Sequence, residues 1–195
     1  MVALFSCDNV TITNPSGTLT IKSDSTRSVR SFTILQAGLP PPPLYINAED
    51  IVAKKYNIVN VFAAGCIISE SLGDSIETFN MNSYHELNKY YKKDMREVIY
   101  NETDKQYRMI KDLDSLLRVA PELKDKAWTK DQFPYFVKTP QTYVANFIVG
   151  SDDKKSGSYI RKLRLQVAID SATKKIKSLT DKDSIIKTDF RELQQ

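Results

Sequence analysis

The chain has 195 residues, 41% hydrophobic and 27% charged, with a formal net charge of +4. That is ordinary globular usage, so a packed core is expected, as one domain or a small domain with a large appendage. One histidine, two cysteines without CxxC spacing and six glycines without a glycine-rich cluster exclude multi-histidine metal sites, Cys/His zinc sites, dinucleotide fingerprints and phosphate loops.

In chain order, residues 10–13 and 18–22 alternate apolar and polar around Asn14-Pro15-Ser16-Gly17. Proline presets the turn dihedral and glycine accepts a positive φ, so this predicts a β-hairpin with Val10, Ile12, Leu19 and Ile21 on one face. Val29, Phe32, Ile34 and Leu35 continue as a third strand, completing an N-terminal β-unit over 1–38. The four prolines Pro40–Pro43 predict an extended, stiff connector over 39–46. An α+β body over 47–195 follows, opened by Asn47 as the cap of a short helix. Ile58 to Ser69 is rich in Val, Ile and Phe and predicts a buried strand, far shorter than the ~20 residues that cross a bilayer. A further short strand is expected at Ile76–Phe79, after a turn at Gly73-Asp74. The first ten residues have no basic start, so no secretory signal is read, and a cytoplasmic or intra-assembly location is expected without membrane contact.

Ser83-Tyr84-His85-Glu86 has the form of a capping box. It opens a long helix over 83–119, with a stripe of Leu87, Tyr91, Met95, Ile99, Thr103, Gln106, Ile110, Leu113 and Leu117 at spacings of three and four. Thr103 and Gln106 put polar groups in that stripe, so a break is expected near 101–104. Pro121 ends the helix. Glu122 to Trp128 adds a helical turn, and Phe133-Pro134-Tyr135-Phe136 is an aromatic loop, either packed over a sheet edge or exposed as an anchor for a partner.

Residues 141–179 predict an antiparallel β-meander. Tyr159, Leu163, Leu165, Val167 and Ile169 should face the core, with Lys162 and Arg164 pointing away. Arg161 has core-side parity, which predicts a bulge or an edge position there. Asp183 is expected to cap a short terminal helix carrying Ile185, Ile186, Phe190 and Leu193. The fold class expected is therefore α+β.

No catalytic constellation is legible, and neither cofactor nor metal ligand set is expected. His85 sits near a helix start without a nucleophile elbow, Asp152-Asp153 reads as a solvated turn, and Glu49-Asp50 fits helix capping. The function expected is a non-enzymatic structural or adaptor subunit of a larger assembly of virion, phage-tail or secretion-machine type. Its partners would be other protein subunits, in a homo- or hetero-oligomer. Candidate contacts are Phe133, Tyr135 and Phe136, Lys162 and Arg164, and Tyr90 and Tyr91. Edge strands that invite pairing are the physical motive. Two other classes fit less. Nucleic acid would bind the basic face of Lys162 and Arg164, extended by Lys174, Lys175 and Lys177, or the Tyr90-Tyr91 pair among Lys89, Lys92 and Lys93. A small ligand would occupy a cone-shaped sheet.

Overall fold

A computed structural model describes residues 30–65, 68–126, 129, 132–152 and 159–186. The hairpin expected at 10–22 lies outside them. The elements are β1 (Phe32–Ala37), α1 (Pro43–Lys55), β2 (Ile58–Ala64), α2 (Glu70–Tyr91), α3 (Met95–Val119), β3 (Tyr135–Lys138), β4 (Thr142–Asp152), β5 (Tyr159–Asp170) and β6 (Ile176–Ile186). The fold is mixed α+β, with a pair of parallel strands and a four-stranded antiparallel sheet in the order β3-β4-β5-β6. The chain divides into two compact units, one holding 30–40 and 53–99, the other 41–52 and the residues from 100 onward.

In the first unit β1 and β2 run parallel, Phe32 opposite Ile58 and Leu35 opposite Val61. Parallel neighbours need a crossover, and α1 lies in that connection. β2 is reached from that helix through Asn57, whose φ of 53° is a left-handed conformation that asparagine tolerates. α2 packs on β1, and its Ile76 and Leu87 are buried. It starts at Ser69, whose hydroxyl accepts from the Leu72 N–H. The capping box at Ser83 therefore does not open a helix: Ser83 is a buried residue inside α2. The strand expected at Ile76–Phe79 is likewise helical, because α2 runs through Gly73 and Asp74 without a turn.

The long helix does break, but at 92–94 rather than near 101–104. Lys92 takes φ 55° and ends α2, and Asp94 Oδ1 then accepts from the N–H groups of Arg96 and Glu97 to start α3. Asp94-Met95-Arg96-Glu97 is itself a capping-box sequence. Thr103 and Gln106 are buried within an unbroken α3. Gln106 is satisfied there by the Tyr143 hydroxyl at 2.8 Å and by Lys138 Nζ at 3.2 Å.

In the second unit the core joins Leu44 and Ala48 of α1, Ile110, Leu113 and Leu117 of α3, and the inward face of the sheet, with Phe136, Tyr143, Ala145, Phe147, Leu165, Val167 and Ile169. The core side assigned to Leu163, Leu165, Val167 and Ile169 is observed, as is the outward placement of Lys162 and Arg164. The aromatic loop is partly a strand: Tyr135–Lys138 form β3 and pair with β4, Phe136 opposite Ala145. Asn47 does not cap α1. The helix begins four residues earlier at Pro43, where proline's missing N–H costs nothing and its φ suits a first helical turn. The proline run thus ends inside a helix. The terminal helix expected from Asp183 is replaced, over 183–186, by the last residues of β6; 187–195 lie outside the described residues.

Candidate protein interface

A sheet edge presents unpaired N–H and C=O groups, which proteins cover or disfavour because they template another strand. Each unit covers one edge with an asparagine projecting from a helix. In the second unit, Asn47 Nδ2 donates to the Phe136 carbonyl at 2.8 Å, and the Phe136 N–H donates to Asn47 Oδ1 at 2.6 Å. The side-chain amide has the donor–acceptor pair of a peptide group, so Asn47 stands in for one residue of a missing strand beside β3. Tyr135 strengthens the closure by donating its hydroxyl to Asp50 Oδ2 at 3.2 Å. In the first unit, the Leu35 N–H donates to Asn80 Oδ1 at 2.8 Å and Asn80 Nδ2 donates to the Leu35 carbonyl at 2.9 Å. β1 is thereby held between β2 and α2.

The opposite edge of the four-stranded sheet is different. β6 is 11 residues long, ends the strand order, and has no strand paired to its outer side among the described residues. It is irregular in two places. Ala168 faces Ser178 but Ile169 faces Ile176, so Lys177 is an extra residue; Leu165 faces Asp181 but Leu163 faces Ser184, so Lys182 and Asp183 together oppose Arg164. Arg164 is also the extra residue against β4, where Phe147 faces Leu165 and Ile148 faces Leu163. The bulge expected at Arg161 therefore falls three residues on, and Arg161 pairs regularly with Gly150 and Ile186.

Charges on this edge are paired along the strand. Lys177 Nζ lies 2.7 Å from Asp170 Oδ2. The Asp170 carboxylate also accepts from the N–H groups of Ala172 and Thr173 and from the Thr173 hydroxyl. These contacts, Lys177 first, hold its carboxyl well below the ordinary aspartate range. Asp183 Oδ1 sits 3.7 Å from Lys162 Nζ and 3.6 Å from Arg164 Nη1. Lys126 reaches Asp181 at 2.5 Å, and Lys174 reaches Asp112 at 2.9 Å. The face read as basic is thus interleaved with carboxylates that the linear pattern does not show.

The candidate contact residues separate into two groups. Phe133 is 56% exposed, with the Arg118 guanidinium 5.3 Å above its ring. Phe136, at 0% exposure, is a core residue and touches no partner in the folded state. Tyr135 is half-buried and held by Asp50. Tyr90 and Tyr91 belong to the other unit, where they form an aromatic cluster with Phe32 and Tyr56: Tyr90 is edge-on to Phe32 at 5.6 Å and Tyr91 edge-on to Tyr56 at 5.4 Å. Tyr91 donates its hydroxyl to the Tyr56 carbonyl, and burial followed by the neighbouring Tyr90 raises its pKa. Packing against β1 accounts for this pair; Tyr90 alone stays half exposed.

The first unit also carries an open cleft of about 660 Å³, lined by Ile34, Ile76, Asn80, Met81, His85 and Asn88 among others. Three of its polar side chains are engaged within the fold: Asn80 with Leu35, Asn88 Oδ1 with the Met95 N–H at 2.8 Å, and Asp94 with the start of α3. Among the described residues no three His, Cys, Asp or Glu side chains are grouped to hold a metal ion, and no helix is long and apolar enough to cross a membrane. No protein-family model matches this chain, and no curated protein or solved structure is significantly similar to it.

Proposed function

We propose that the chain is a non-enzymatic structural or adaptor subunit of a multi-chain assembly, joined to neighbouring protein subunits by strand addition at β6. One observation carries the reading: within a single sheet, the β3 edge is closed by a buried asparagine, while among the described residues no strand pairs with the outer edge of the 11-residue β6. Bulges and lysines blunt such an edge against a flat strand but leave it open to one whose bends and charges match, to which main-chain hydrogen bonds then supply affinity. Virion, phage-tail and secretion-machine subunits are assemblies of this kind. Nucleic-acid binding is favoured less, because Lys162, Arg164, Lys174 and Lys177 all face carboxylates, which leaves little net positive field along the strand. Native mass measurement tests the proposal, on the purified chain and on the chain in gently lysed native source. A particle heavier than the 22.2 kDa chain is expected in at least one of the two; a monomer in both refutes it.

A further inference from the structure

We infer that the strand added at β6 is β6 of a second copy of this chain, paired antiparallel about a two-fold axis through Thr180. This rests on the reading of the chain as an assembly subunit and names the partner.

A two-fold interface must be self-complementary: if residue i faces residue j of the partner, j faces i. For antiparallel strands meeting at Thr180, Ser178 faces Lys182, Lys177 faces Asp183 and Ile176 faces Ser184. Most strands fail such a test once bulges shift their side chains from one face to the other. β6 passes it. Ile176, Leu179, Asp181 and Ser184 pair with Ile169, Val167, Leu165 and Leu163, the core-facing residues of β5. About Thr180 these four exchange in pairs, Ile176 with Ser184 and Leu179 with Asp181. On the outer face Ser178, Thr180 and Ile185 pair with Ala168, Gln166 and Lys162. Lys177 and Asp183 share that face, since they reach Asp170 in one case and Lys162 and Arg164 in the other. They exchange with each other. Its two bulges, at Lys177 and at Lys182-Asp183, lie equally far on either side of Thr180. The bends they impose therefore match when the strand meets a copy of itself.

Charge agrees with this register. Lys177 and Asp183 meet twice, once on each side of the axis, as opposite charges directly across the new pair, an arrangement that stabilises antiparallel strands. Both are well exposed in the single chain, at 48% and 70% of the side chain. The long 3.6–3.7 Å contacts of Asp183 leave it able to take a further cation. Thr180 faces its own copy, and paired threonines are favourable across antiparallel strands. The neighbouring register, centred on Leu179, would set Lys177 on the outer face against Asp181 on the core-facing one, so the side chains would not meet. The result of the Thr180-centred pairing is one continuous eight-stranded sheet across two subunits.

Only a residue on the axis meets itself, and this gives a specific test by sedimentation equilibrium on the full chain. The unaltered chain is expected to associate toward twice 22.2 kDa as concentration rises. Thr180 is exposed, so Thr180→Asp and Thr180→Lys should keep the melting temperature of the dilute chain. Each places like charges face to face and weakens the dimer by roughly five- to tenfold. Mixed together, the two variants meet as opposite charges and should dimerise at least as tightly as the unaltered chain. Three results overturn the inference: an unaltered chain that stays monomeric, variants that dimerise unchanged, or a mixture that fails to recover. A chain monomeric alone but part of a larger particle in its native source removes the self-pairing and leaves the assembly reading standing. A monomer in both settings removes both.

Discussion

Asn47 and Asn80 make the same pair of hydrogen bonds to the backbone of a strand, one in each unit, yet they differ in depth. Asn47 is 2% exposed and lies where α1 meets β3; Asn80 is half-buried on α2, beside the open cleft. A hydrogen bond adds only about 0.5–1.5 kcal/mol net, but a buried group left without a partner costs about 1–3 kcal/mol. The two asparagines thus close their edges with equal geometry and unequal consequence, because water can replace Asn80 and cannot reach Phe136. The β6 edge is the third case, with no strand and no asparagine in the partner's place among the described residues. What closes an edge is the peptide-like amide, and what makes the closure count is the exclusion of water.

The largest expected effect follows from the buried member. Asn47→Leu preserves size but strands both the N–H and the C=O of Phe136, so unfolding by urea should show a loss of roughly 2–5 kcal/mol; a loss below 1 kcal/mol would mean that water reaches β3. Asn47→Asp sharpens the point by separating the two bonds. The ionised carboxylate still accepts from the Phe136 N–H but faces the Phe136 carbonyl without a donor, whereas the protonated form restores it. Burial and that carbonyl raise the folded-state pKa of the new carboxyl. The variant should therefore regain stability at low pH and lose it as pH rises through the folded pKa. A urea series against pH checks the sign. Asn80→Leu should cost only about 0.5–1.5 kcal/mol, seen best as faster hydrogen exchange at the Leu35 amide.

None of these three edge states is legible in the sequence, and the reasons are physical. The faces of β5 are legible, because Leu163, Leu165, Val167 and Ile169 alternate with Lys162, Arg164 and Gln166 at the period that the pleat imposes. The helical stripe through Ile110, Leu113 and Leu117 is legible for the same reason. Asn47 is not: asparagine before an acidic residue reads as a cap, and only the arrival of β3, 89 residues away in sequence, gives it a different role. The chain also contains two capping boxes, Ser83 to Glu86 and Asp94 to Glu97, with equal local merit. Burial of Ser83 against Asp94's exposure decides between them, and that is a tertiary fact. The bulges of β6 depend on how its neighbour is aligned, so the order of residues from Lys175 to Asp183 carries no sign of them.

The smallest expected effect lies at the open edge and concerns what holds its first bulge. Lys177 is the extra residue there, and its ammonium is anchored by Asp170 at the end of β5. Because the folded-state pKa of Asp170 is depressed, the carboxylate contributes stability that is fully present above the unfolded aspartate value of about 3.9 and is lost as pH falls below it toward the folded value. Asp170→Asn keeps an acceptor for the turn at Ala172 and Thr173 but removes the charge that Lys177 meets. At neutral pH the variant should be slightly less stable than the unaltered chain, by an exposed ion pair's small margin, and more so at low salt. Below about pH 4 the two should draw together, because the unfolded chain then takes up a proton at Asp170 that the folded one does not. A gap that stays constant across that range, measured by thermal melting of dilute chain, would show that the turn hydrogen bonds hold the bulge without the ion pair. In that case the curvature of β6 is set by the backbone alone, and Lys177 is left free to meet whatever pairs with the edge.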